Sequence, residues 1–300
     1  MVTPNEQHDS LAKAIGCNGL YFKREDLHPL GSHKGRSIPV MIDKFSSDGS
    51  KRFAISSSGN AALAAALYIK DKPGITLEIF VGENISSKKL VRLENIALVG
   101  LTNLDTQGNI TITKTARPIQ ALTKAIQRGA VSLRQSTNDL ALIGYTSLAE
   151  EISEIEEAGA VFIGTSSGTT AQALAQYFLK NEKPIQVHMI QTSSCHPMLG
   201  LTDLSRLEVT DNKEQEVSIA DAIVDKTAFR KTVLIPFIEE TGGAGWYASN
   251  DEILEAQKMT KSETGLDISA NSALSVVGAI KATREKHNIK GSLVCVICGE

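Results

Sequence analysis

The chain of 300 residues reads as an α/β protein built on parallel sheet, and three observations predict it. From residue 52 onward, short strand-like runs alternate with longer helix-like segments, the pattern of strands joined by crossover helices. The run at 293–297 is continuously apolar, as a strand buried on both faces requires. Two predicted strands run straight into Gly/Ser/Thr-rich turns that open helices, and open sheets bind ligands at connections of this kind.

Residues Leu20-Tyr21-Phe22-Lys23 approach as a strand. They meet a turn containing Pro29 and Gly31, which delivers Ser32-His33-Lys34 to the mouth of a helix beginning near Gly35. The alternation then predicts strand 52–55, helix 60–70, strand 76–82, helix 86–95, strand 96–101 and helix 116–128. An acidic amphipathic helix is expected over about 144–158, followed by strand 160–163, helix 170–180 and strand 185–191. The chain shows no tandem repeat and no low-complexity linker. Length alone accommodates one domain or two.

A hydrophobic content of 42% supplies enough apolar surface for one large core or two modest ones. The net charge of −3 comes without a block of like charge, so no electrostatic footprint for nucleic acid or an anionic membrane is present. The opening residues lack a basic region followed by an apolar stretch, and no apolar run approaches a membrane span, so a cytoplasmic location is expected. Four cysteines do not make a disulfide framework in a chain of this length. Cys295 and Cys298 form a C-x-x-C, but a strand sends side chains at odd spacing to opposite faces, which argues against a shared metal.

Lys34 is the leading candidate for covalent chemistry. At a turn-to-helix junction its amine lies near helix-terminal N–H groups and the cation Arg36, a setting that favours the uncharged nucleophile of a Schiff-base lysine. The segment Gly164-Thr165-Ser166-Ser167-Gly168-Thr169-Thr170 follows a strand and opens a helix, so its N–H groups suit a dianionic phosphate. It lacks the Walker lysine and the G-x-G-x-x-G spacing, so ATP and NAD are disfavoured. The second junction, Ser56-Ser57-Ser58-Gly59-Asn60-Ala61-Ala62, suits a carboxylate equally well, while Asn60 also has the character of a helix cap. Arg36 and Arg134-Gln135-Ser136-Thr137-Asn138 are candidates for anion contacts, with solvated loop positions as the alternative.

Four of these segments, in order, resemble the tryptophan-synthase-β-like (fold type II) family of pyridoxal-phosphate enzymes. They are Lys23 to Ser37 around Lys34, the Ser56 loop, the Gly164 loop and the terminal Val294-Cys295-Val296-Ile297-Cys298-Gly299, with Thr3-Pro4 as a further echo at the start. The resemblance implies two open α/β lobes with mainly parallel sheets and the cofactor, pyridoxal 5'-phosphate, in the cleft between them. The larger lobe would comprise 1–51 and 147–300, and the smaller, inserted lobe 52–146. It implies that Lys34 carries the cofactor, that Gly164, Thr165, Ser166, Ser167, Gly168 and Thr169 hold its phosphate, and that Asn60 touches its ring hydroxyl. Ser57, Ser58 and Asn60 would hold the substrate carboxylate, and Cys298 would face the pyridine nitrogen. His33 stands where the family usually has Phe; packing and proton transfer are its two readings.

Within the family, the segment from Glu240 to Ala256 and the run Ser269-Ala270-Asn271-Ser272-Ala273 look most like threonine synthase. That implies a lyase converting the small amino acid O-phosphohomoserine to L-threonine and phosphate. Against it, Asp221-Ala222-Ile223-Val224-Asp225-Lys226-Thr227 replaces a usual signature. A serine/threonine dehydratase is the alternative, then cysteine-synthase-like replacement; a ligand-binding pseudoenzyme is the reading from a different class. No metal is implied, and a homodimer is left open.

Overall fold

The computed structural model describes residues 2–99, 109–199 and 217–299. It divides into two compact units, Met1–Leu27 with Tyr145–Glu300, and His28–Gly144. In the first segment lie β1 (Asn5–Gln7), α1 (Asp9–Ile15) and β2 (Leu20–Arg24). The second unit holds α2 (Lys34–Ser47), β3 (Arg52–Ser56), α3 (Asn60–Ile69), β4 (Thr76–Gly82), α4 (Ser87–Val99), β5 (Ile110–Thr115), α5 (Pro118–Gln127), β6 (Val131–Ser132) and α6 (Leu140–Gly144). The chain then returns to the first unit through α7 (Thr146–Ser153), β7 (Ala158–Gly164), α8 (Thr169–Lys180) and β8 (Gln186–Thr192). That unit is completed by α9 (Lys231–Glu240), β9 (Gly245–Ala248), α10 (Asn250–Thr264), α11 (Ala270–Arg284) and β10 (Ser292–Ile297).

The first unit's sheet has the order β1-β2-β10-β7-β8-β9, with only β1 antiparallel to its neighbour. Its central strands are buried on both faces, which explains their continuous apolar runs. Phe162, Ile190 and Cys295 pack in one core cluster with Leu274, Val277 and Ile280 of α11. The second unit's sheet, β5-β4-β3-β6, is parallel throughout. Phe53, Ile55, Leu77 and Ile79 meet the small side chains Ala64 and Ala65 of α3 there, so helix and sheet approach closely. Removal of these apolar side chains from water drives both cores. Among the described residues no helix is long and apolar enough to cross a membrane.

The fold class is thus α/β with mainly parallel sheets. The second unit begins at His28, whereas the sequence reading began the smaller domain at 52. Helix α2 packs on α3 and α6, and Ser37 Oγ donates to the Ala141 carbonyl at 2.8 Å, so these contacts attach α2 to the inserted segment. The strand expected at 96–101 is a correction: residues up to Val99 belong to α4, and 100 and 101 lie outside the described residues. The apolar positions there recur at helical spacing, with Leu93, Ile96 and Ala97 turned to the core. The helix expected over 144–158 is broken at Tyr145 and ends at Ser153, and Glu157 takes a left-handed φ of 54° just before β7.

Candidate active site

Strands β2, β10, β7, β8 and β9 run in one direction, so the segments that follow them leave from a single edge of the first unit's sheet. Ligands bind at such carboxyl edges. The loop after β7 is held by its own hydroxyls and by a neighbouring strand end. The Thr165 amide donates to the Ile190 carbonyl at 2.8 Å, Thr165 Oγ1 accepts from the Gly168 amide at 3.0 Å, and the hydroxyls of Ser167 and Thr169 pair at 2.8 Å. Ser166 Oγ accepts from the amides of Val224 and Asp225 at 3.1 and 3.0 Å.

Gly168 is the N-cap of α8 and has φ 77°, a left-handed conformation natural to glycine. A Cβ there would also lie 2.6 Å from Leu234 Cδ2 and 3.0 Å from Met198 Cε. Glycine brings no capping side chain of its own, so the turn presents backbone at a helix N-terminus, the end of a helix that favours anions. This cradle fits a dianionic phosphate.

Sequence reasoning missed Gln191. Fully buried at the end of β8, it donates through Nε2 to the carbonyls of Thr165 and Ser166 at 3.2 and 3.3 Å and accepts from the Met198 amide at 3.0 Å. Its only sequence signal was a second amide in a strand that mixes apolar residues with Gln186, His188 and Thr192. Cys298 follows β10 and is 4% exposed. Its amide donates to Ser272 Oγ at 3.0 Å, while Ser269 Oγ donates to the Gly299 carbonyl at 2.6 Å, so the N-terminus of α11 fixes the chain end. The run 269–273 thereby acquires a positioning role. Cys295 is tied elsewhere: its thiol donates to the Ser275 carbonyl at 3.6 Å, and burial pushes its pKa up.

In the second unit Lys34 opens α2, and its amide donates to the Oγ of fully buried Ser32 at 3.2 Å. His33 and Arg36 are both buried. Glycine is needed at position 35 because a Cβ would lie 2.4 Å from the ring of His28, whose Nδ1 accepts from the Leu30 amide at 3.1 Å. Ser57 and Ser58 lie between β3 and α3, Asn60 is the first residue of α3, and the Gly59 amide donates to Ser57 Oγ at 3.3 Å. Ser58 is exposed, Asn60 is buried, and no side chain caps α3. The parallel neighbour β6 brings 134–138 to the same edge of the sheet. There Asn138 Oδ1 accepts from the Leu140 amide at 3.0 Å, a local task in starting α6. Ser136 Oγ is buried without a hydrogen-bond partner among the described residues.

Part of the Lys23 to Ser37 motif serves folding. Lys23 is fully buried in β2, with Nζ 2.5 Å from Glu151 Oε2 and 2.8 Å from the Thr3 carbonyl. Thr3 Oγ1 donates to buried Glu25 at 2.5 Å. Thr3, Lys23 and Glu25 thus form one buried network with Glu151 of α7, in which the Lys23 charge is paired with Glu151 and Glu25 is hydrogen-bonded by Thr3. Ser249 and Glu252 likewise make a capping box for α10, and Gly265 closes that helix in a left-handed conformation.

The family model for pyridoxal-phosphate dependent enzymes matches residues 1–299. The chain belongs to that family. This pyridoxal-phosphate-dependent enzyme is 25% identical over 290 residues to threonine synthase of Methanosarcina acetivorans, an alignment covering 93% of the chain and 69% of the relative. It is 28% identical over 206 residues to the L-serine dehydratase/L-threonine deaminase of Bos taurus, covering 65% of the chain and 59% of the relative. The solved structure of a pyridoxal 5'-phosphate-dependent aspartate racemase superimposes with a TM-score of 0.79 at 20% identity, covering 100% of this chain and 90% of that one. That likeness concerns the fold. Pyridoxal phosphate, when bound, supplies an aldehyde that captures amines and a ring that draws electrons from the substrate's α-carbon.

Proposed function

We propose that this enzyme is a threonine-synthase-like lyase that converts O-phosphohomoserine and water to L-threonine and phosphate. The observation that carries the cofactor's placement is the N-terminus of α8, which opens on the left-handed Gly168 at the carboxyl edge that also bears Cys298. The choice of reaction is supported by the relatives named threonine synthase and by the segment from Glu240 to Ala256. In this reading Gly164, Thr165, Ser166, Ser167, Gly168 and Thr169 hold the cofactor's phosphate, and Asn60 meets its ring hydroxyl. Ser57 and Ser58, at the N-terminus of α3, take the substrate carboxylate. Lys34 is the covalent anchor and then the base that removes and returns carbon-bound protons. Phosphate leaves the γ-carbon with its bonding electrons, and water supplies the hydroxyl at the β-carbon.

A serine/threonine dehydratase is the second reading, favoured by the bovine relative and by Cys298. A thiol is a weak donor, and a pyridine nitrogen facing it stays largely unprotonated, which favours elimination over transamination. The deciding experiment supplies O-phosphohomoserine, threonine and serine separately to the holoenzyme. Equal yields of phosphate and L-threonine from the first support the proposal; ammonia and keto acid from the others, with no phosphate release, replace it with the second reading. Lys34→Ala should abolish turnover of every substrate while folding normally, and activity in that variant rules out Lys34 as the anchor.

A further inference from the structure

The segment 221–225 lies against the loop after β7 in the same unit. It is anchored on several sides. Asn271 Oδ1 accepts from the Ala222 amide at 3.0 Å and Asn271 Nδ2 donates to Asp221 Oδ1 at 3.2 Å; Cys195 Sγ donates to the Asp225 carbonyl at 3.6 Å. Ile223 is 6% exposed and belongs to the main core of the unit. The amides of Val224 and Asp225, presented side by side, both donate to Ser166 Oγ.

A serine hydroxyl has two acceptor lone pairs and one proton to give. Here both lone pairs are taken, and together with the Cβ bond they fix three of the oxygen's four tetrahedral directions. The O–H bond is left with the fourth, and no hydroxyl or carbonyl among the described residues accepts from it. We propose that the 221–225 segment is a positioning element for the cofactor's phosphate: its two amides make Ser166 an outward donor of fixed direction. Without them the hydroxyl is free to rotate and to satisfy itself on backbone carbonyls. The inference rests on the reading of 164–169 as the phosphate loop.

The test is a titration of apoprotein with pyridoxal phosphate and, separately, with pyridoxal, which lacks the phosphate. Ser166→Ala should weaken pyridoxal phosphate by about 10-fold or more, as loss of a hydrogen bond to a charged group does, and leave pyridoxal unchanged. Val224→Pro removes one amide donor and should weaken pyridoxal phosphate by about 3-fold, again sparing pyridoxal, because only one of the two constraints is lost. The double variant should behave as Ser166→Ala alone, since both changes act through one hydroxyl. The 31P resonance of bound cofactor should move in each variant. An equal effect of Val224→Pro with and without the Ser166 hydroxyl overturns the proposal, as does equal weakening of both ligands by Ser166→Ala. Should Val224→Pro not fold, Asp225→Pro removes the other donor and is judged by the same outcomes. If the parent protein itself binds pyridoxal as tightly as pyridoxal phosphate, the phosphate-loop reading fails first, and that result is distinct from the others.

Discussion

The chain uses one local device twice: a buried strand, a Ser/Gly turn and a helix whose N-cap is glycine, once at β7–α8 and once at β3–α3. The surroundings differ. In the first unit every hydroxyl from Thr165 to Thr169 is engaged, Gln191 grips two of the loop's carbonyls, and 221–225 holds Ser166 from outside the loop. In the second unit Ser57 makes a single local bond and Ser58 is exposed. A helix N-terminus attracts anions in either place. The tightly held loop suits a group that stays bound through many turnovers, and the lightly held one suits a carboxylate that arrives and departs.

The largest expected effect breaks the comparison at its stiffer end. Gly168→Asp combines a left-handed backbone, a crowded Cβ and a negative charge facing a dianion, so cofactor affinity should fall by about 100-fold or more. Spectroscopic titration measures this, and near-normal affinity would show that the turn is only a connection. The matching charge in the other unit, Ser58→Asp, should act differently. It should raise the KM for the amino acid about 10-fold and leave cofactor affinity within about 3-fold.

Acid should sharpen the contrast between the scaffolds. His188, fully buried on β8, stacks on Phe162 with centroids 4.6 Å apart, and its Nδ1 accepts from Trp246 Nε1 at 3.1 Å. The proton therefore sits on Nε2, which meets Gln186 Oε1 at 3.1 Å. Burial, and secondarily His287, hold the pKa of His188 well below 6.5. The folded state thus binds this proton less readily than the unfolded chain. Its contribution is fully present above about pH 6.5 and is lost as pH falls below that, by up to about 2 kcal/mol at pH 5. Urea midpoints of the parent should fall over this interval, and those of His188→Gln should fall less. Hydrogen exchange should place the loosening in the first unit, and a uniform response across both units would contradict this account.

The smallest effect concerns Cys298. Cys298→Ser should keep turnover within about 3-fold, because a hydroxyl has similar reach and, like the thiol, brings no charge to hold a proton on the pyridine nitrogen. Cys298→Asp should favour a protonated pyridine nitrogen and change the cofactor's absorption and product ratio. If both variants match the parent in spectrum and products, the thiol does not face the ring.

Much of this protein was legible as a string. The strand at 76–82, the helix opening at Lys34 and the Gly164 turn follow from local grammar: residue period, Pro and Gly punctuation, and strand-to-helix junctions of small polar residues. The ordered motifs pointed to the cofactor, and the family match bears that out. What the string concealed depends on partners distant in sequence. Lys23 and Glu25 look like members of a catalytic motif, yet Lys23 is neutralised by Glu151 and Glu25 accepts the Thr3 hydroxyl, since a buried charged or polar group must find its partner wherever the fold supplies one. Gln191 reads as one of several polar residues in β8 until parallel pairing brings it under the loop at 165–166. Position 35 reads as the start of a helix, with no reason for glycine there until the ring of His28 occupies the space of its missing side chain. Local periodicity determined the elements because it acts within a few residues; burial, charge pairing and close approach are properties of neighbours in space, and only the tertiary structure decided those.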